Sequence, residues 1–255
     1  MKIFTELRTK VLEFRLFFFK SNQELTIVTG SDSSHFKSLF QLLESLSHHE
    51  KETKIIVFDL GLSKEESEKT TNNFPNIELR KFDYSKYPSY FNIKINAGEY
   101  AWKPVIINTI LNEFKSSVCW IDAGNKVFKP LINLRKIIEL YGFYSPYSKG
   151  KIIDWTHFKT LKFLNVDDNH NILKKTNLNG SCICVNYNND KVKKFIDEWK
   201  DYALVKDCIA PEGSNRENHR QDQAVLSTLA YLRIPDITKK MTFKKFGFKT
   251  HQDVD

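Results

Sequence analysis

The sequence predicts an α/β fold, a mainly parallel sheet flanked by helices in a single domain. Three observations lead there. Hydrophobic spacing alternates between the two-residue repeat of strands and the 3.6-residue repeat of helices. The strand-like runs recur with helical segments between them, the pattern of stacked βα units. With 255 residues, 41% of them hydrophobic, the chain is long enough for one sizeable core.

The elements follow in order. Residues 1–23 read as an N-terminal helical extension, with apolar positions interrupted by Glu6, Arg8, Lys10, Glu13 and Arg15. Those charges break a signal-peptide core and suit an amphipathic helix packed on the domain; membrane contact through Leu16–Phe19 is a weaker expectation. Leu25–Thr29 is a strand closed by Gly30-Ser-Asp-Ser-Ser34, and His35–Ser47 a helix with an apolar stripe. Lys54–Phe58 is a second strand, and Ser63 with Glu66 three residues on forms a capping box for the next helix. Ile77–Phe82 alternates and suits an edge. Tyr100–Phe114 is a helix with Pro104 in its first turn, where proline is tolerated. Val118–Ile121 is a fourth strand, stopping at Asp122-Ala-Gly-Asn125. Ligands collect beyond the carboxyl ends of such strands, here Thr29–Ser34, Asp59–Leu62 and Asp122–Asn125.

The second half is less regular. Leu131–Leu140, Lys191–Ala203 and Gln221–Leu232 are predicted helices and Leu178–Asn186 a strand. Residues 149–177 show no period, Val205–His219 reads as a mobile or lid-like loop, and residues 239–249, with five Lys among three Phe, read as a basic tail or edge strand.

Composition narrows the function. Nine Gly and seven Pro, about half the average share, exclude collagen-like and low-complexity chains. Apolar runs such as Leu16–Phe19 and Ile55–Phe58, four residues each, are far short of the roughly 20 residues that span a bilayer. Lys and Arg total 39 against 31 acids, a net charge of +8, and only seven of those cations are Arg. That balance suits a phosphate-bearing partner better than a nucleic acid, whose readers favour bidentate Arg. The four Cys form no Cys-x-x-Cys, and Cys182-Ile-Cys184 reads as core, so a reducing, cytoplasmic setting is expected. Dinucleotide, Walker, His-Glu-x-x-His and Gly-x-Ser-x-Gly motifs are absent, and Asn179-Gly-Ser181, a formal glycosylation sequon, abuts an apolar strand.

Asp122 leads the candidate residues: a carboxylate at the end of a buried strand, followed by Ala-Gly, suits a hard divalent cation on a diphosphate. Trp102 and Lys103 open the preceding helix, setting a cation and a helix N-terminus near the same crevice. Asp222, starting another helix, suits a base or an acceptor-positioning group. Asn179-Gly180 brings backbone close to a sugar, Thr29–Asp32 suits a base or ribose, and Trp155 with His157 suits a sugar face or core packing. His219 and His251 are weaker metal candidates. Each of these also has a structural reading, as turn, cap or packing.

The order Val28-Thr-Gly-Ser-Asp-Ser-Ser-His-Phe36, Tyr100-Ala-Trp-Lys-Pro104, Trp120-Ile-Asp-Ala-Gly124, Asn179-Gly-Ser181 and Asp222-Gln223 resembles GT-A-type glycosyltransferases, across about residues 24 to 232. The closest look is to poorly characterised glycosyltransferase-like families with "YAWKP" and "WxD" blocks. The resemblance implies a GT-A domain over 24–255 and transfer of a sugar from a nucleoside diphosphate sugar, UDP-linked above others, to a glycan or protein hydroxyl. Thr29, Gly30, Ser31 and Asp32 would lie near the nucleotide and Lys103, with Trp102, near the diphosphate. Asp122 would stand at the metal-binding Asp-x-Asp motif, holding Mn²⁺ or Mg²⁺, and Asn179, Gly180 and Asp222 would surround the transferred sugar and acceptor. One departure is plain: Asp122-Ala-Gly124 lacks the second carboxylate, so a distant residue such as His251 completes the site or metal is dispensed with. That loss also motivates the alternative of a non-catalytic, nucleotide- or glycan-binding member of the fold. A sugar nucleotidyltransferase is a third reading, and Thr29-Gly-Ser-Asp lacks its Gly-rich basic loop.

Overall fold

The computed structural model describes residues 2–168 and 170–255. Helix α1 (Lys2–Phe18) leads into three βα units and a fourth strand: β1 (Leu25–Asp32), α2 (Phe36–His49), β2 (Lys54–Gly61), α3 (Lys64–Asn73), β3 (Ile77–Lys81), α4 (Trp102–Phe114) and β4 (Ser117–Ile121). The capping box at α3 forms as its spacing predicts: Ser63 Oγ accepts from Glu66 N at 3.1 Å, and Ser63 N donates to Glu66 Oε2 at 2.8 Å. Then come β5 (Lys126–Val127), α5 (Ile132–Tyr141), β6 (Phe143–Tyr144), β7 (Tyr147–Lys151), α6 (Ile152–Trp155), α7 (Phe158–Phe163), β8 (Thr176–Leu178) and β9 (Cys182–Asn186). The chain closes with α8 (Asp190–Ala203), α9 (Lys206–Ile209), α10 (Gln221–Arg233), α11 (Pro235–Thr238) and β10 (Phe248–Lys249).

One six-stranded sheet, ordered β3-β2-β1-β4-β9-β6, organises the molecule. Its β3, β2, β1 and β4 run parallel, while β9 lies antiparallel to both β4 and β6. The central strands are apolar on both faces, as strands covered by helices must be; Ile27, Val28, Ile56, Val57, Val118 and Trp120 are fully buried. β3 takes the edge, as its alternation predicts. Strand β1 runs three residues further than expected, through Gly30, Ser31 and Asp32.

The second half departs from expectation in three places. The single predicted strand Leu178–Asn186 is two: β8 pairs with β7 in a separate hairpin, and β9 joins the main sheet. The Asn179 side chain bends the chain between them, its Oδ1 accepting from Ser181 N at 2.8 Å. Residues 149–177, without readable period, hold two short helices whose length is below what periodicity resolves. The expected lid, Val205–His219, is packed down at its two ends, where Cys208, Ile209 and His219 are fully buried and Thr160 Oγ1 donates to Cys208 O at 2.7 Å, while Glu212, Gly213 and Asn215–Glu217 between them are exposed. The basic segment 239–249 ends in β10, which pairs antiparallel with β5.

Helix α1 packs through Leu12 and Leu16, 5% and 2% exposed, while Phe14, Phe17 and Phe18 face outward. None of the described helices is long and apolar enough to cross a membrane. Cys119, Cys182 and Cys184 are fully buried on paired strands β4 and β9, with Cys119 Sγ 2.8 Å from Cys184 Sγ, and all four cysteines are free.

Candidate active site

Two adjoining cavities, about 470 and 330 Å³, open beyond the carboxyl ends of β1, β2 and β4. Tyr100, Asp122, Ser181, His251 and Asp253 line both, so they form one crevice with two lobes. The strand-end positions converge as the parallel topology requires.

The smaller lobe is held by the sheet. Gly30, Ser31 and Asp32 reach it from β1, Leu60 from β2, and Asp122, Ala123 and Gly124 from beyond β4. Thr29 is not there: it is fully buried within the sheet, off both cavity walls, because the alternation of β1 turns it inward. A Cβ on Gly30 would fit only tightly, 3.2 Å from both Leu60 Cδ1 and Trp120 Cη2, so the glycine keeps this wall close. Trp102 lines this lobe with its ring, while its Nε1 donates to Ala97 O at 3.1 Å. Asp59, at the end of β2, is spent locally on the amides of Gly61 and Leu62, at 2.8 and 2.6 Å.

Between the lobes lies an ion triad, buried at Lys103 and Asp222 and half-exposed at Asp122. Lys103, 3% exposed in the first turn of α4, sets its Nζ 3.1 Å from Asp122 Oδ1 and 3.1 Å from Asp222 Oδ2. Its hydrogen bond goes to Gly180 O at 3.2 Å. Burial by itself would lower the Lys103 pKa, but the two carboxylates more than reverse that and hold the amine charged. Burial raises Asp222 to about 6, against the pull of Lys103 and with the repulsion of Asp122. Asp222 therefore stays mostly ionised at neutral pH yet is far more basic than an ordinary Asp. Trp120 Nε1 donates to Asp122 Oδ1 at 2.5 Å, so among the described residues the carboxylate contacts of Asp122 fall on one oxygen.

Backbone strain surrounds the triad. Asn96, Ala97, Gly98, Glu99 and Tyr100 all take left-handed φ between 47° and 63°, just before α4. Gly98 is obligatory there, because a Cβ would meet Phe91 O at 2.3 Å. Gln221, starting α10, has φ 34°, and its Nε2 donates to the buried Glu99 Oε2 at 3.3 Å. Such outliers persist only where surrounding structure holds them, and they gather at sites that do chemistry. Here one hydrogen bond ties the turn before Lys103 to the turn carrying Asp222.

The larger lobe belongs to the second half of the chain. Asn179 and Gly180 form its floor beside Asp222; a Cβ on Gly180 would lie 3.2 Å from Gln223 Cβ and 3.4 Å from Asp222 Oδ2, so glycine permits this close approach. Trp155 stands on the wall with the Arg220 guanidinium 4.2 Å from its ring centre. Arg216 lies over the Tyr100 ring at 5.4 Å and donates to its hydroxyl. Arg80, Arg135 and Arg233 are paired with carboxylates, whereas Arg216 and Arg220 have no carboxylate partner among the described residues. Sequence reasoning missed these two arginines, Tyr100, Lys149 and Asp253; scarcity of Arg was the available signal for Arg216 and Arg220.

Two histidines do other work. His157 caps α7 by accepting from Lys159 N at 3.3 Å, and its own amide donates to His219 Nδ1 at 3.2 Å. His219 is fully buried, with Nε2 2.8 Å from Ile209 O, and burial lowers it to about 4. Both ring nitrogens are occupied, so His219 is a neutral internal strut and offers no lone pair to a metal. His251 is exposed at the crevice and lines both lobes.

A family model described as "Protein of unknown function (DUF1647)" matches residues 4–108. No curated protein matches the chain in sequence. Among solved structures, the galactosyltransferase LgtC, in complex with donor and acceptor sugar analogs, superposes with a TM-score of 0.54 at 13% identity, over 89% of this chain and 86% of that one. Core-mannan synthase A of Aspergillus fumigatus, in an Mn/GDP form, gives 0.54 at 9% identity, over 89% of this chain and 74% of that one. Mouse xyloside xylosyltransferase 1 gives 0.50 at 11% identity, over 84% and 83%. The chain has the fold of the GT-A glycosyltransferases.

Proposed function

We propose that this protein is a glycosyltransferase that moves a sugar from a nucleoside diphosphate sugar to a hydroxyl of a glycan. The observation that carries the reading is the Asp122–Lys103–Asp222 triad at the junction of two lobes, with Lys103 and Asp222 buried and Asp122 half-exposed. Two carboxylates share one ammonium there, beyond the ends of parallel strands, so the triad has acid to spare for a cation that would neutralise a leaving diphosphate, and Lys103 fixes where those carboxylates sit. The sheet-held lobe, with Gly30, Ser31 and Asp32, suits the nucleotide. Asp222, with its raised basicity, suits a carboxylate that takes the proton of the acceptor hydroxyl or steadies positive charge on the sugar. Asn179 and Gly180 give the sugar a backbone-lined floor.

The residues present fit a divalent cation: Asp122 keeps an uncommitted carboxylate oxygen, and His251 lines the same lobes. When bound, Mn²⁺ or Mg²⁺ would supply charge neutralisation on the diphosphate. On the acceptor side, Arg216, Arg220 and Lys149 carry charge without carboxylate partners among the described residues, near the Trp155 ring, a wall that suits a sugar bearing an acidic group.

A thermal-shift screen of UDP, GDP and CMP with their sugars, followed by a donor-turnover assay, tests this. One nucleotide stabilises the fold, and at about 100 times its dissociation constant it adds about 2.7 kcal/mol. Turnover of the matching sugar falls about 10²- to 10⁴-fold in Asp222→Asn. Nucleotide binding with no turnover of any donor would instead favour the non-catalytic reading.

A further inference from the structure

Position 124 is where an Asp-x-Asp motif would put its second carboxylate, and it is glycine. A Cβ built there would sit 2.1 Å from Asp253 Oδ1, 2.7 Å from its Cγ and 2.9 Å from Oδ2. The Asp253 carboxylate thus occupies the room a side chain at 124 would take. Its place is fixed from both sides. Gln252 N donates to Gly124 O at 2.8 Å, and Gln252 O accepts from Gln41 Nε2 at 2.9 Å. Val254 N donates to Ser38 Oγ at 3.0 Å, and Asp255 Oδ1 accepts from Lys37 N, at the start of α2, at 2.9 Å. Asp253, held between these anchors, makes no hydrogen bond or ion pair of its own among the described residues. It lines both lobes together with Asp122 and His251.

We infer that Asp253 is the second carboxylate of a divalent-cation site, supplied to Asp122 from 131 positions further along the chain, with His251 beside it. This rests on the nucleotide-sugar reading. Gly124 is then no degenerate aspartate: it is the position that must lack a side chain for the carboxylate from segment 250–255 to fit. Carboxylate oxygens with one imidazole suit Mn²⁺ or Mg²⁺, ions that keep several ligands from water or phosphate and need few from protein. The three groups line the same two lobes without forming a closed cage; among the described residues only the thiols of Cys119, Cys182 and Cys184 bring three donor atoms within 4.8 Å. An open arrangement is what a cation shared with a diphosphate requires.

The test reads metal binding directly. Mn²⁺ is titrated into the full chain and free Mn²⁺ followed by its electron paramagnetic resonance signal, with and without UDP or GDP. Wild type binds one Mn²⁺, and Asp253→Asn, an exposed and conservative change, weakens it about tenfold or more, as Asp122→Asn does. The decisive variant moves the carboxylate: Gly124→Asp with Asp253→Gly recovers affinity to within a few fold of wild type. Full Mn²⁺ affinity in Asp253→Asn, with loss in Asp122→Asn, would overturn the role of Asp253 and leave the donor reading intact. Nucleotide binding with no Mn²⁺ uptake by wild type would overturn the cation site alone. Absence of both would remove the donor reading with it. Thermal unfolding of each variant separates lost binding from lost fold.

Discussion

The two lobes of the crevice are built in opposite ways. The smaller is framed by strand ends, where residues such as Gly30 and Asp122 inherit their positions from a hydrogen-bonded parallel ladder. The larger is framed by turns, short helices and a strained segment, whose positions depend on single contacts such as Gln221 to Glu99. A rigid frame suits a ligand part that is constant, and a loop frame suits one that varies. The difference teaches where specificity can change in this molecule without disturbing its core.

Lys103 is where the two constructions meet, so it is the harshest test of the contrast. Lys103→Met leaves the buried Asp222 carboxylate without its cation and facing the half-exposed Asp122. Unfolding in urea should show a loss of about 3–5 kcal/mol, the cost of breaking a buried pair. A loss under 1 kcal/mol would mean the lobes do not depend on the triad.

Acid sharpens the contrast in the loop-held lobe alone. Asp222 has a folded pKa of about 6, above its unfolded value of about 3.9. The folded state therefore binds more protons between those values, and this group's contribution to stability falls as pH rises from about 4 to about 6. His219 acts oppositely: its folded pKa of about 4 lies below the unfolded value near 6.5, so its contribution falls as pH drops through that window. In wild type the two nearly cancel. In Asp222→Asn that opposing contribution is gone, and the His219 effect should drop stability by about 2 kcal/mol or more between pH 6.5 and 4.5. Activity in wild type should rise with pH around an apparent pKa of about 6.

Gly98→Ala probes the strained turn. The left-handed φ and the contact with Phe91 O together should cost about 2 kcal/mol, read from the melting transition, and should lower turnover beyond that. The smallest effect lies on the exposed wall. Arg220→Gln should leave stability within about 0.5 kcal/mol while raising the KM for an acid-bearing acceptor about tenfold and leaving the donor KM unchanged. Equal changes in both KM values would mean that the two lobes are not separate subsites.

Legibility in the sequence follows the same divide. Asp122, Lys103 and Gly30–Asp32 could be singled out because strand and helix periodicity alone places them at one sheet end. Asp222 stood out by starting an apolar helix. Asp253 could not be, and only the scarcity of Arg marks Arg216 and Arg220, since nothing local records that residues 216 and 253 return to Tyr100 and Gly124. Thr29 was misplaced because the strand runs on past it, and β8 and β9 were fused because both flank the Asn179 turn with apolar residues. The supposed lid was misjudged for a related reason: Pro211, Gly213 and the charges are visible in sequence, while the burial of Cys208, Ile209 and His219 is a tertiary fact.

Segment 250–255 lies on the crevice by a handful of hydrogen bonds and a two-residue strand pair precedes it, while β1 and β4 sit in the middle of the sheet. Proteins open in parts before they open as a whole, and thinly bonded segments go first. Warming or mild denaturant should therefore release residues 250–255 while the sheet is still intact. Amide exchange at Gln252 and Val254 would run far ahead of exchange at Val28 and Trp120, and the crevice would lose its outermost wall at a temperature where the molecule still counts as folded.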